Sequence, residues 1–166
     1  MPLTNNENQE LCKLLAKLEP GMLPSDVFVS IARLTVQPAI EFIPLRKNGK
    51  KIEVLLLPRS DDDPIWPGML HTPGTILRPN DTEFKYPFKR LLDEEIGITG
   101  KYKLMFNTSG LFKSERGSGV SFEYILILED DPKNGEYYDV LQLPDNLVSG
   151  QAEFIERSVA RFKEPA

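Results

Sequence analysis

The chain is poor in the residues that most often announce a site: its 166 residues include one cysteine, one histidine and one tryptophan. A lone Cys12 cannot close an intrachain disulfide, which suits a reducing compartment. Beside Leu11 in a helical pattern, it reads as a buried structural thiol rather than a nucleophile. Cys/His spacing for a zinc-type site is absent, as are the glycine-rich phosphate loops G-x-x-x-x-G-K-[ST] and G-x-G-x-x-G. Basic excess is missing too. Against 25 Asp and Glu stand 20 Lys and Arg, a net charge of −5, so no overall basic surface holds a nucleic-acid polymer by counterion release. No apolar run approaches the ~20 residues that span a bilayer. The polar start (Asn5, Asn6, Glu7, Asn8) lacks a basic-then-apolar leader. Together these absences lead us to expect a soluble, cytoplasmic protein whose partners are small molecules, not polymers or membranes.

What is present is ordinary globular material, 40% hydrophobic and 27% charged, enough for one domain with a core. Thr4-Asn5-Asn6-Glu7 has capping-box spacing, and Leu11, Leu14, Leu15 and Leu18 mark one helical face that Glu19-Pro20-Gly21 terminates. Residues 1–20 are thus read as a helical extension that packs on the main sheet or on a second copy in a homodimer. Residues 21–166 form the main unit. The β-branched stretch from Val27 to Val36 opens the strand region, followed by Ala39–Leu45, a hairpin turn at Asn48-Gly49 and the buried central strand Ile52–Leu57. Asp61-Asp62-Asp63-Pro64 reads as a solvated turn and Trp66-Pro67-Gly68 as more loop. Tyr102–Phe106 and Val120–Leu128 are strands around a polar loop, Lys113–Gly119. Further turns fall at Asp130–Gly135 and Leu143-Pro144-Asp145. Ser149 caps a last helix with Ala152, Ile155, Val159 and Phe162 on one face.

The informative stretch runs from His71 to Ile98: a Pro73-Gly74 turn, a loop, then a helix bearing Arg90, Glu94 and Glu95 and stopped by Gly97. Acids near one end of a helix can offer oxygen ligands to a cation from one face. The pattern resembles the signature of the Nudix hydrolases, G-x5-E-x7-R-E-U-x-E-E-x-G-U, with U a bulky aliphatic. Arg90, Leu92, Glu94, Glu95, Gly97 and Ile98 match it. Three features depart from it. Leu91 stands where the first glutamate of the triplet belongs. Gly74 to Glu94 is two residues longer than the pattern, and Thr82, flanked by Asp81 and Glu83, falls at its isolated glutamate. Pro87 confines the helix start to the region Phe84–Pro87, and Thr75 replaces a second glycine.

The resemblance implies an α/β fold, a Nudix-type α/β/α sandwich with a mixed sheet, here with an extra N-terminal helix. It implies Mg²⁺- or Mn²⁺-dependent cleavage of a phosphoanhydride in a nucleoside diphosphate linked to another group. Glu94 and Glu95 carry over as metal ligands, with the Gly74 carbonyl, and Arg90 as the residue that orients them. His71 at the mouth is a candidate base or phosphate donor. Glu136 is the candidate loop carboxylate, with Glu115 and Glu129 as rivals. Arg116 and Lys113 could meet phosphate oxygens, and Trp66, Phe106 and Phe112 offer stacking surfaces. Loss of a ligand at Leu91 motivates the alternative: a catalytically inactive module that binds a nucleotide or a partner.

Overall fold

The computed structural model describes residues 2–21, 23–98 and 100–163. β1 (Val36–Asn48) is the strand on which the rest is hung. Along one edge it pairs in parallel with β6 (Gly117–Leu128), from Val36 opposite Ser118 to Pro44 opposite Leu126. Along the other edge its partners change. β4 (Gly74–Ile76) pairs antiparallel with Ala39–Glu41, and β2 (Lys51–Pro58) pairs antiparallel with residues 45–48. Between them the Phe42 amide donates to Pro73 O at 2.8 Å, so the sheet parts there without losing the hydrogen bond. β3 (Leu70–His71) and β7 (Glu136–Asp139) lie against β2, and β5 (Tyr102–Ser114) closes the far side against β6. The sheet is mixed, as expected.

Period-two alternation sends side chains to two cores. Ile40, Phe42, Leu55 and Leu126 meet Leu91, Leu92 and Ile96 of the helix that carries the signature. Ile43, Leu45, Val54, Leu56 and Ile125 meet Phe154, Ile155 and Val159 of the last helix. This is the expected α/β/α layering. The signature helix begins as α3 (Lys85–Lys89), with Pro87 in its first turn, and continues as a π-helical segment, Arg90–Ile96. Gly97 ends it at φ 71°, and the Ile98 amide returns to Leu92 O at 2.9 Å. The turn before β7 satisfies further carbonyls: Asn134 donates its side chain to Glu95 O and its backbone amide to Ile96 O.

The structure differs from the sequence expectations at several points. Ser25–Ala32 is a helix, α2, rather than strand, and the strand starts only at Val36. Its β-branched residues yield to a start at Pro24 and an acid, Asp26, in the first turn. α1 (Asn5–Leu15) has the expected capping box but ends before Leu18 and buries no residue, so it is not packed on the sheet. Leu11, Leu14 and Leu15 are exposed, and so is Cys12, which therefore is not a core thiol. The Lys113–Gly119 loop shrinks to the two-residue turn Glu115-Arg116, because β5 and β6 pair out to Ser114 and Gly117. Before the last helix, α4 (Gln151–Lys163), the Ser149 hydroxyl serves Glu115 at 3.0 Å. Among the described residues no helix is long and apolar enough to cross a membrane.

Candidate functional site

The parting of the sheet places an acid where the strand pattern expects an aliphatic. Glu41 lies between Ala39 and Ile43 on the face toward α4, and it is buried. Its cross-strand partner is Gly74, and a Cβ added there would meet Glu41 Oε2 at 2.3 Å. The glycine is thus needed for side-chain room: the carboxylate occupies the space its own side chain would fill. Buried Thr72 holds its hydroxyl 3.5 Å from Glu41 Oε2 and also bonds Gln151 Oε1, which accepts the Thr72 amide at 3.0 Å. On β6, in register with Glu41, sits the fully buried Glu123, which accepts from Ser121 at 3.0 Å and from Arg157 at 2.7 Å. From the signature helix comes Glu95, whose Oε2 is buried without a hydrogen-bond partner.

Burial raises both Glu41 and Glu95. Burial, then the charges of Glu95 and Glu123, push Glu41 up to about 8. Burial also pushes Glu95 up to about 7, against the opposing pull of Arg59, the Gly74 amide and Arg90. Such a pair keeps its protons up to neutral pH and gives them up where a cation stabilises the ionised form.

The opposite wall is built on Asp63, the last acid of the triplet read as a solvated turn. Its side chain is 8% exposed. Burial opposes its charge, but the Trp66 and Ile65 amides and Arg59 together hold its carboxyl down at about 2. Arg59 Nε donates to it at 2.7 Å, and Arg116 reaches the same oxygen at 3.4 Å. Both guanidiniums pack on Trp66, at 5.4 Å and 4.7 Å from the ring, and Arg116 also lies 5.5 Å from the Phe28 ring. The Trp66 indole donates to Glu115 at 3.2 Å. Trp66 is therefore a post holding two arginines at the cavity wall.

These two walls enclose a cavity of about 710 Å³, which Glu41, Arg59, Trp66, His71, Gly74 and Arg116 help to line. A shallower hollow of about 750 Å³ shares Arg59, His71 and Gly74 with it and adds Glu95, Lys133 and Asn134. His71 is held neutral: burial, then Arg59, lowers its pKa to about 4.

Of the residues singled out in the sequence, Gly74, Glu95, His71, Trp66, Phe112, Lys113 and Arg116 line these two hollows. Glu94 stands on the solvent side of the helix. Glu136 is exposed on β7, accepting from Tyr138 at 3.3 Å. Arg90 forks onto Asp81 at 2.6 and 2.8 Å, pinning the preceding loop and not facing either hollow. Leu91 is fully buried in the core under the helix. The sequence reading missed Glu41, Glu123, Arg59 and Asp63. A glutamate inside the apolar run Ala39–Leu45 was the available signal, since an acid is rarely buried without a reason.

Whether a divalent cation suits this site turns on the donors. Among the described residues no three of His, Cys, Asp and Glu form a ready ligand group. The unpartnered Glu95 oxygen next to a second crowded carboxylate is nonetheless the donor chemistry that a hard cation satisfies.

No protein-family model and no curated protein matches the chain. Solved structures do. The Nudix domain of Shewanella oneidensis NrtR, complexed with ADP ribose, aligns at TM-score 0.61 and 17% identity over 92% of this chain and 98% of that one. A C. elegans Ap4A hydrolase binary complex aligns at 0.60 and 16%, over 76% and 98%. MutT protein from Methanosarcina mazei Go1 aligns at 0.60 and 21%, over 78% and 96%. At these identities the likeness is one of fold: the chain has the Nudix fold.

Proposed function

We propose that this Nudix-fold chain takes a phosphorylated, nucleotide-type small molecule into the cavity and cleaves a phosphoanhydride in it, with Mg²⁺ or Mn²⁺ at Glu95 and Glu41. The observation that carries the reading is the buried, unpartnered Glu95 oxygen beside Glu41 at the Gly74 turn. Bound there, a divalent cation would neutralise phosphate charge and lower the pKa of a water nucleophile. Glu95 and Glu41 would hold it as carboxylates, the cation offsetting the burial that otherwise favours their protonated forms, with the Gly74 carbonyl as a further oxygen. Thr72 and Gln151 would keep Glu41 aimed, and His71, neutral, would offer an N–H rather than a charge. Glu41 arrives from β1 and so replaces, from a different element, part of what Leu91 and the outward Glu94 no longer supply. A nucleotide-type ligand is drawn from the neighbours, one crystallised with ADP ribose and another an Ap4A hydrolase. A nucleoside diphosphate linked to a second group suits a cavity that continues into another hollow.

The test is turnover of a nucleotide panel with Mg²⁺ or Mn²⁺ by the wild type and by Glu95→Gln. We expect metal-dependent hydrolysis, lowered on the order of 100-fold by the substitution. Turnover indifferent to Glu95→Gln would remove the mechanism. A second reading, a binding module without catalysis, draws on Leu91 in the core and Glu94 in solvent. It predicts nucleotide binding unchanged by chelator and no hydrolysis with either metal.

A further inference from the structure

The geometry points to Arg59 and Arg116 as a seat for a phosphate or pyrophosphate group that needs no metal, set on the wall opposite the carboxylates. The inference rests on the proposed function only in sharing its cavity. Two guanidiniums converge here on one carboxylate, Asp63, leaving an excess of one positive charge. Of the acids nearby, Glu115 spends its carboxylate on the Trp66 indole and Ser149.

Arg116 is the less satisfied of the two. Among the described residues its only ion pair is the 3.4 Å contact with Asp63, and its buried Nε–H meets no acceptor. A buried charged donor left unpaired is costly, yet the fold goes to some length to hold it. The arginine stands in the two-residue turn between β5 and β6. Gly117 behind it, at φ 141°, backs so closely on Ala32 O that a Cβ would meet that oxygen at 2.5 Å. Phe28 and Trp66 then fix the guanidinium between their rings. A rigid, undersatisfied fork beside a second arginine is suited to an oxyanion with several acceptor oxygens, which can take parallel N–H bonds from both. A phosphoryl group meets that description, and the cavity gives it access.

Trp66 is the sole tryptophan and touches both guanidiniums, so its emission reports on the seat. The probes are sodium pyrophosphate and ADP-ribose, titrated into the full chain at neutral pH with EDTA present and followed by Trp66 fluorescence and calorimetry. We expect saturable binding of both without metal. Arg116→Gln should weaken it roughly tenfold or more, and Arg116→Lys should fall between, having charge without the fork. Glu95→Gln should bind pyrophosphate at least as well as the wild type. Circular dichroism establishes that each variant is folded. Should Arg116→Gln not fold, the Lys variant and Arg59→Lys carry the comparison. Absence of saturable binding in EDTA, or affinity indifferent to every arginine substitution, overturns the seat. Loss of hydrolysis alone leaves it standing, because Glu95→Gln separates the two.

Discussion

Glu41 shows how one residue can set the solution behaviour of the whole site. Its carboxyl sits at about 8 and that of Glu95 at about 7, both above the 4.5 of an unconstrained glutamate. A folded state that holds protons more tightly than the unfolded chain loses stability as pH rises through that interval. Two other groups act with the opposite sign, but lower on the scale. His71, depressed to about 4 from 6.5, and Asp63, depressed to about 2 from 3.8, add stability as pH rises through those windows. Between roughly pH 6.5 and 8 the two glutamates therefore act against little opposition from these groups. Thermal midpoints across that range should fall with pH in the wild type and fall less in Glu41→Gln, which cannot ionise. Parallel slopes for the two proteins would show that the Glu41 carboxyl is not held protonated. Added Mg²⁺ should reduce the decline, since a bound cation stabilises the ionised pair.

Among the elements, the signature helix was the most legible and the most misleading. Its terminus could be read because helix stops are local: Gly97 at positive φ followed by an aliphatic anchor is written in consecutive residues. Its early proline was legible for the same reason. Which of its acids faces inward was not, because that depends on the π-helical phase of Arg90–Ile96 and on the strand it packs against. Glu94 consequently points out and Glu95 in. Glu41 was hidden for a related reason: its burial needs Gly74 across the strand pair, and no local pattern announces a cross-strand partner. α2 escaped notice because β-branched composition is a weak guide where packing decides. The same helix supports a prediction about Leu91. Restoring the glutamate of the pattern, Leu91→Glu, would put a carboxylate among Ile40, Phe42 and Leu126 rather than beside Glu95. It should cost several kcal/mol, the effective penalty of an unpaired buried ion. Urea denaturation would register this as a large drop in midpoint without a gain in hydrolysis. A stable, more active Leu91→Glu protein would mean that the helix can turn that position toward the cavity.

Across the whole molecule the net charge is −5, while one wall of the cavity carries two arginines on a single acid, Asp63. A small phosphorylated ligand approaching this surface meets mild repulsion until it enters the cavity, where the guanidiniums are fixed and shielded from bulk ions. If the proposed seat determines binding, a long polyanion would gain little from it, since only one phosphate at a time could meet both guanidiniums. The two cases differ in their response to salt. Neutralisation by many phosphate contacts gives a log-log slope of about −0.9 for each contact, steep for any extended nucleic acid. Binding through two arginines, with the outer repulsion relieved by the same salt, should be shallower than about −2. Titrations of ADP-ribose by Trp66 emission across a range of KCl concentrations measure that slope directly. A steep value would place the ligand on surface lysines, and the enclosed arginine pair would lose its role as the determinant of binding.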